Sequence, residues 1–205
     1  MTGMEPATFI PIQTVPQTGR FVFDKPGTYV VFFHNISGRI QFVINSRGVN
    51  LQIFGLYTGE GSDAFSLETI QLHNSPSSTS NLLIRGVFHD ASHFVYEGLI
   101  RIEKRAHDSR AYQKNQNIIL SEKVFVSSKP NLEILARDVF CTHGSTTGRI
   151  NQGQLLYLMS RGLPVIQGKR LMAAGFIRGL FGEIEQLGFK KEVLYHKQAA
   201  LKKYD

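Results

Sequence analysis

The sequence predicts a mostly-β body followed by a small α-helical region. From Arg20 to about Leu135, short segments rich in β-branched and aromatic residues are separated by glycine, serine, asparagine and aspartate, as in strands joined by turns. No long helical repeat interrupts them. After Cys141 a Gly-Ser-Thr-Thr-Gly stretch marks a change, and the following residues carry helical spacing. We therefore expect a β domain over residues 1–150 and a helical domain over residues 151–205.

The first strands alternate between apolar and polar positions, which indicates burial mainly on one face. Ile40, Phe42 and Ile44 show this pattern, and Leu51 and Ile53 continue it after a turn. Further strands are predicted over residues 65–72, 80–88, 94–102, 118–120 and 132–135. Periodicity alone leaves a sandwich, a barrel and a β-solenoid open, since no exact internal repeat of fixed length is present.

The helical region divides at its glycines and prolines. Asn151 is a plausible N-cap for a first helix over the apolar run 155–159, which Gly162 and Pro164 end. A second helix is expected to begin near Val165, and Gly175 is expected to break or cap it. Apolar residues then recur at three- and four-residue steps over residues 176–187.

The composition is that of a globular chain with a basic balance. Twenty-three lysines and arginines against sixteen acids give a net charge of +7 over 205 residues. Residues 188–205 hold five lysines and two acids, so +3 belongs to this tail, which we expect to be a solvated helix face. The charge allows an acidic partner without identifying one.

Cysteine content and hydropathy limit the compartment and the cofactors. The single cysteine, Cys141, makes neither an internal disulfide nor a multi-cysteine metal site by itself. The N-terminus does not resemble a signal peptide, and no run of about 18 apolar residues is long enough to span a bilayer. We therefore expect a cytoplasmic protein that does not act at a membrane.

Three weak motifs favour ordinary structural explanations. The Gly59-Glu60-Gly61 stretch loosely fits a dinucleotide fingerprint, but a strand and not a helix is expected after it. His89 and His93 flank an expected turn without further ligands, which favours solvated histidines. The basic group consists of Lys104, Arg105, Arg110 and Lys114 with Tyr112 among them. An exposed strand and loop explain it without a nucleic-acid partner.

Cys141-Thr142-His143 carries the sharpest local chemistry. On a strand, the thiol and the imidazole two residues later point to the same side, where the imidazole is able to lower the thiol pKa or to share a metal. A lone cysteine is more often a small buried hydrophobe. The pair is a stronger candidate for a functional role because it lies at the junction between the β body and the helices.

Four collinear segments around this junction resemble the SufB/SufD family, the scaffold subunits of the SUF iron-sulfur cluster assembly machinery. Residues 129–146, KPNLEILARDVFCTHGST, are similar to the family signature KPxLEIxADDVxCxHGAT. Residues 117–122 (NIILSE) resemble its NLLLSE segment, and residues 80–87 (SNLLIRGV) resemble SNQLYKGV. Residues 156–163 (LYLMSRGL) resemble FYLMSRGI, and an Ala-Gly-Phe follows at 174–176. Residues 1–75 match only in general β character.

The resemblance implies a right-handed parallel β-helix with a small C-terminal α-helical domain. It also implies a non-enzymatic scaffold that pairs with a SufB-like subunit through the β-helix and docks a SufC-like ABC-type ATPase through its helical end. Cys141 and His143 fall on the family's Cys-x-His positions and become candidate metal ligands. A cluster needs about four ligands. A transient cluster shared with a partner chain is therefore expected, with no permanently bound cofactor.

One feature makes the chain more similar to SufD than to SufB, and a second makes it shorter than other members of the family. Asn115 stands where SufB subunits place their cluster-building cysteine, and the 205 residues are far fewer than in typical members, so we expect the family's N-terminal helical region to be missing. Arg161 and Leu163 are the candidate contacts for the ATPase. Two other hypotheses stay open: a self-associating β-helix homodimer without cluster function, and a polysaccharide-active enzyme, for which no convincing set of carboxylates is present.

Overall fold

The computed structural model describes residues 7–204, which form eleven strands followed by three helices. The strands are β1 (Thr8–Ile12), β2 (Arg20–Phe23), β3 (Gly27–His34), β4 (Gly38–Ile44), β5 (Val49–Gly59), β6 (Ala64–His73), β7 (Thr79–Phe88), β8 (His93–Ile102), β9 (Arg110–Ile119), β10 (Phe125–Ile134) and β11 (Phe140–Arg149). The helices are α1 (Gln152–Ser160), α2 (Val165–Gln186) and α3 (Lys190–Leu201). The first six residues, where no signal peptide is expected, and Asp205 of the basic tail lie outside the described residues.

The strands alternate between two parallel sheets, which makes the body a parallel β-helix. The odd-numbered strands form one sheet in the order β1-β3-β5-β7-β9-β11, and the even-numbered strands form the other in the order β10-β8-β6-β4-β2. The predicted β-helix with C-terminal helices is confirmed, and the sandwich and the barrel are excluded. The offset between paired strands varies: Gly27 pairs with Val49, but Leu51 pairs with Ser80. This variation hides the repeat from a search at one fixed length.

The interior of the first coils is a packed apolar core. Phe33, Phe42, Ile53 and Leu82 are buried inside the two sheets. The alternation predicted for residues 40–44 is confirmed, because Ile40, Phe42 and Ile44 all belong to this core. Burial of apolar surface, worth roughly 25 cal/mol per Å², therefore holds these coils together.

Left-handed residues at the same place in successive coils form one row of turns. Ser77, Asp108 and Asp138 precede β7, β9 and β11 with φ angles of 54°, 55° and 54°. The Ser77 N–H donates to the His107 carbonyl at 3.0 Å, and the Asp108 N–H donates to the Asp138 carbonyl at 3.0 Å. Asp and Ser are common in turns because their short polar side chains bond to nearby backbone. These stacked turns align each strand above the previous one.

Helices α2 and α3 cover the outer face of the odd-numbered sheet. Ile177, Leu180 and Phe181 of α2 share one apolar cluster with Phe32 and Leu56 of the strands. Arg85 of β7 joins the two layers at their edge. Its Nη1 donates to the Phe176 carbonyl at 3.0 Å, and its Nη2 forms an ion pair with Glu183 at 3.2 Å.

The expected break at Gly175 is wrong, because α2 runs without interruption through it. A Cβ at Gly175 would meet nothing within 4 Å, so this glycine serves neither a turn nor a close approach. Packing of the neighbouring Ala174 and Ile177 on the sheet keeps the segment helical despite the low helix propensity of glycine. The predicted N-cap is confirmed, since the Asn151 side chain accepts a hydrogen bond from the Gln154 N–H at 3.0 Å.

The β body extends further than the strand prediction. The stretch at residues 144–148, where a change of structure is predicted, lies inside β11, and β9 and β10 both begin before their predicted limits. Parallel pairing with β9 fixes β11 in spite of its weak β propensity.

The basic tail is only partly a solvated helix face. On its inner side, Lys197 forms an ion pair with Glu185 at 2.6 Å and Lys203 with Glu60 at 2.8 Å. Val193 and Leu201 of α3 are buried in the cluster that the helices share with the odd-numbered sheet. Among residues 7–204, no helix has both the length and the apolar character needed to cross a membrane.

Candidate functional site

The candidate site lies at the C-terminal end of the β-helix, where the last strand of each sheet has a neighbour on one side only. Within the described residues, β11 pairs only with β9, and β10 pairs only with β8. The opposite edges leave backbone N–H and C=O groups available to another strand. We call this end of the solenoid, formed by residues 125–149, the open end.

Apolar side chains are exposed at the open end. Phe140 is 65% exposed and Phe125 is 51% exposed, and Leu132, Ile134 and Leu135 are also exposed. Two unprotected strand edges beside exposed apolar side chains are typical of a surface that another chain covers.

Cys141 faces the interior of the solenoid from β11. It pairs with Ala111 of β9, and it packs against a small apolar cluster that includes Ala136 and Val139. Burial raises the pKa of its thiol to about 11. The expectation that the neighbouring imidazole lowers this pKa is therefore wrong, because desolvation of the thiolate dominates. At neutral pH the side chain is a neutral thiol.

His143 lies two residues further along the same face of β11 and is exposed. It pairs with Gln113 of β9, one coil below. The predicted common face of Cys141 and His143 is present, since alternate residues of a strand point to the same side. Within residues 7–204, the His143 ring makes no hydrogen bond, so both ring nitrogens are available to a ligand.

The structure does not assemble a complete metal site from these two residues. Among the described residues, no group of three or more His, Cys, Asp or Glu side chains is placed to hold a metal ion. A thiolate and an imidazole are both ligands for iron, but a cluster requires about four. Any cluster at the open end therefore needs ligands from a second chain.

Asn115 lies inside the solenoid, one coil below the open end. It is 1% exposed and pairs with Ser145 of β11. Its Oδ1 accepts a hydrogen bond from Asn117 Nδ2 at 2.6 Å. An amide therefore fills the position at which the family resemblance places a SufB cysteine.

The two candidate ATPase contacts lie on the helical side of the chain. Arg161 follows the last residue of α1, and its guanidinium carbon is 5.2 Å from the centre of the Tyr157 ring. Leu163 is half-buried, and its N–H donates to the Leu158 carbonyl at 3.2 Å. These residues belong to a different element from Cys141 and His143.

Sequence reasoning missed three exposed apolar side chains that lie close to Arg161 along the chain. Leu156 is 62% exposed, Tyr157 is 58% exposed and Ile166 is 67% exposed. We call these three residues the helical patch. The run 155–159 contains the available clue, because it is apolar on every side of α1 whereas a surface helix needs only one apolar stripe.

The weaker motifs have structural roles, but the expectation that His89 is solvated is wrong, because this residue is half-buried whereas His93 is exposed. The stretch at residues 59–64 is the turn between β5 and β6, and His89 and His93 flank the turn between β7 and β8. His89 Nε2 lies 3.2 Å from the Tyr204 hydroxyl, and Arg105 Nε donates to the Asn74 carbonyl at 2.8 Å. The first contact holds the residues that follow α3, and the second holds the loop that contains Arg105.

Comparison with known proteins connects this fold to one cellular process. The family model described as "SUF system FeS cluster assembly, SufBD core domain" matches residues 34–176. The iron-sulfur cluster assembly protein SufD of Escherichia coli is 30% identical over 164 residues, which cover 80% of this chain and 38% of that protein. SufD of Bacillus subtilis is 32% identical over 136 residues, which cover 66% of this chain and 31% of that protein.

A SufBD family protein of Mycobacterium leprae is 31% identical over 157 residues, which cover 73% of this chain and 38% of that protein. The matched region thus spans less than two fifths of each of these relatives. It includes β4 to β11 and most of α2, and therefore both the open end and the helical patch. The chain belongs to the SufB/SufD family of iron-sulfur cluster assembly proteins and is SufD-like.

Proposed function

We propose that the chain is a non-enzymatic scaffold in which the open end pairs with a SufB-like subunit in the cytoplasm. The exposure of Phe125 and Phe140 beside two strand edges without outer neighbours carries this proposal. A second solenoid placed on this end would continue both sheets and cover the apolar side chains. This mode of binding, in which a strand is added to an open edge, derives its affinity from main-chain hydrogen bonds.

Pairing at the open end places Cys141 and His143 at the interface. The nascent iron-sulfur cluster is the cargo of this pair, and the two side chains supply part of its ligand set. His143 is the first candidate ligand because it is exposed and has both ring nitrogens available. Cys141 is the second, because its half-buried thiol must lose a proton before it binds iron.

The helical patch is the proposed docking surface for a SufC-like ABC-type ATPase. Arg161 and Leu163 lie beside Tyr157 at the end of α1, where charged and apolar contacts are available together. Exposed apolar area of this kind on a folded chain indicates a partner.

Co-purification with a SufB-like and a SufC-like protein tests the pairing. Phe140→Asp places a charge on the open end and is expected to abolish capture of the SufB-like subunit. Val22→Asp is the matched control, because Val22 is an exposed apolar residue on β2 at the opposite end of the solenoid. Equal capture by the two variants would contradict pairing at the open end.

The alternative hypothesis of a homodimer uses the same edges. Mass measurement of the isolated chain in solution separates the two, because a homodimer that Phe140→Asp dissociates, together with no capture of a SufB-like subunit, favours self-association. Iron and acid-labile sulfide bound after anaerobic reconstitution would then show whether such a homodimer carries a cluster.

Reconstitution of a cluster on the captured complex tests the ligands. His143→Ala is expected to reduce the bound iron and sulfide by more than half, whereas His107→Ala removes an exposed histidine between β8 and β9 and should leave both unchanged. Unchanged cluster formation in His143→Ala would remove this residue from the site.

Point substitutions test the ATPase contact better than a truncation. Deleting residues 151–205 would uncover Phe32 and Leu56 on the odd-numbered sheet and would destabilise the solenoid itself. Ile166→Asp and Arg161→Glu are instead expected to weaken ATPase capture. Leu194→Asp, at an exposed position of α3, should retain it. Wild-type capture by both test variants would exclude the helical patch.

A further inference from the structure

Polar side chains interrupt the apolar core inside the solenoid between β6 and β10. Gln71 of β6 and Gln113 of β9 are 0% and 1% exposed, and Asn115 and Asn117 of β9 are 1% and 4% exposed. Ser128 of β10 completes the group, because its hydroxyl is also buried. In the coil before, Leu82 and Ile84 occupy the positions that pair with Gln113 and Asn115.

Most of the polar atoms in this group have no hydrogen-bond partner within the described residues. Seven atoms are unpartnered: both amide atoms of Gln71 and of Gln113, Asn115 Nδ2, Asn117 Oδ1 and Ser128 Oγ. Buried side-chain polar atoms are almost always satisfied in folded proteins, and each unsatisfied one costs about 1–3 kcal/mol. Seven such atoms in one interior therefore require a bound species that is not part of the chain.

The chemistry of the lining identifies water as that species. The seven atoms include both donors and acceptors, and the interior positions of β6 to β10 carry no lysine, arginine, aspartate or glutamate. His73 is the ionisable side chain nearest in sequence to Gln71, and its ring nitrogens are occupied by Ser78 at 2.8 Å and Ser80 at 2.7 Å. Without a formal charge, the lining binds neither an anion nor a metal ion strongly.

Small residues around the amides reduce the volume that side chains fill. Thr69 of β6, Gly98 of β8 and Ser128 of β10 face the interior from the even-numbered sheet, and Ile40 of β4 is the larger residue that pairs with Thr69 in the coil before. A Cβ on Gly98 would overlap the Gln113 amide, so this glycine leaves space for the side chain to reach across. The buried polar side chains of β9 connect to the surface, since Asn117 Nδ2 donates to the Oγ1 atom of the exposed Thr147 at 3.2 Å.

We propose that the interior of the solenoid between β6 and β10 binds ordered water molecules through Gln71, Gln113, Asn115, Asn117 and Ser128. At about three hydrogen bonds per buried water, the seven unpartnered atoms require about two waters. Gln113 lies directly beneath His143 in this interior, and the waters enter past Asn117 and Thr147. This inference does not depend on the partners or on the cluster.

Oxygen-17 magnetic relaxation dispersion of the full chain measures water molecules with long residence times. The wild type is expected to show about two of them, and the near-isosteric double variant Gln71→Met/Gln113→Met is expected to lose at least half of this signal. Gln198→Met, on the exposed face of α3, is the matched control and should keep the whole signal.

A wild-type signal no greater than that of the double variant would overturn the proposal. Because the double variant places two apolar side chains in the interior, its fold requires an independent check by circular dichroism. A high-resolution crystal structure of the wild type provides the second measurement. Water density within hydrogen-bond distance of Gln71 and Gln113 supports the proposal, and an interior without such density contradicts it.

Discussion

The first and last coils of the solenoid share one backbone plan and differ in what surrounds it. In the first coils, Phe33, Phe42 and Ile53 fill the interior, and α2 and α3 cover the odd-numbered sheet from outside. In the last coil, β10 and β11 have no outer neighbour among residues 7–204, and Phe140 is exposed. Stability is therefore concentrated in one part of the molecule, and the capacity to bind a partner in another.

The same contrast explains why the candidate ligands occur where they do. A side chain that binds a shared cluster must be accessible to a second chain, and an apolar, closed coil offers no such access. His143 satisfies this condition because it lies on the interior face of the last strand, where no further coil covers it. Residues in the same column one and two coils below, Gln113 and Leu82, are buried.

A pair of leucine truncations is expected to give the largest difference between the two regions. Leu82 of β7 is 1% exposed, and Leu132 of β10 is 38% exposed, and both face the interior side of their sheets. Leu82→Ala should lower the free energy of unfolding by about 2–5 kcal/mol, because it leaves a cavity in a closed core. Leu132→Ala should cost less than about 1 kcal/mol in the isolated chain.

Urea unfolding monitored by circular dichroism measures both variants. Equal losses of stability would mean that the last coil is as well packed as the first ones, for example through self-association. Repeating the measurement below the dissociation concentration of any dimer separates these explanations.

The pH dependence of the free energy of unfolding tests whether the hydrogen-bonded imidazole of His73 is buried in the folded chain. Burial lowers the pKa of His73 from 6.5 to about 4. The unfolded chain therefore binds more protons between these values, so the contribution of His73 is complete above pH 6.5 and is lost as the pH falls towards 4. For this one residue the expected loss between pH 7 and pH 5 is about 2 kcal/mol.

His73→Gln provides the test, because a glutamine side chain does not titrate and is able to bond to both Ser78 and Ser80. The variant is expected to lose about 2 kcal/mol less stability than the wild type between pH 7 and pH 5. An identical pH dependence in His73→Gln would show that His73 is not the group responsible. His34 adds a similar contribution, since burial lowers its pKa to about 4 as well.

The sequence allowed the β body, the helical region and the Asn151 cap to be predicted, because each depends on local patterns. The parallel β-helix followed from the family resemblance alone: strands that pair are about 30 residues apart, and alternation looks the same in a sandwich. The extension of β11 through residues 144–148 was missed because pairing with β9, and not the propensity of Gly144 or Gly148, holds it in place. The interior amides were not predicted, since a polar residue in a half-buried strand is expected on the solvent face.

Candidate ligands were predicted as a pair, and the structure places Cys141 and His143 on one face of β11. Their electrostatics were not predictable in the same way. The raised pKa of Cys141 depends on burial beside residues such as Ala136 and Val139, and not on its distance from His143 along the chain. The boundary between residues 1–150 and 151–205 stays a prediction, since the apolar cluster of α2 includes residues from both sides of it.

The smallest expected effects come from alanine substitutions at two glycines of α2. One substitution tests the helix that covers the first coils, and the other tests the contact that anchors this helix. A Cβ at Gly179 would overlap Arg85 Nη1, whereas a Cβ at Gly175 would meet nothing within 4 Å. Gly175→Ala should therefore stabilise the chain by up to about 1 kcal/mol through helix propensity.

Gly179→Ala gains the same propensity but forces the guanidinium of Arg85 away from Phe176 and Glu183, whose charged hydrogen bonds are worth about 1.5–3 kcal/mol. A net destabilisation of about 1 kcal/mol is expected, and urea unfolding of the two alanine variants measures the difference in sign. If both variants are stabilised, Arg85 does not anchor α2, and apolar burial alone joins the helices to the solenoid. Opposite signs would instead show that a specific polar contact, inside a mostly apolar interface, fixes where the helical patch stands relative to the open end.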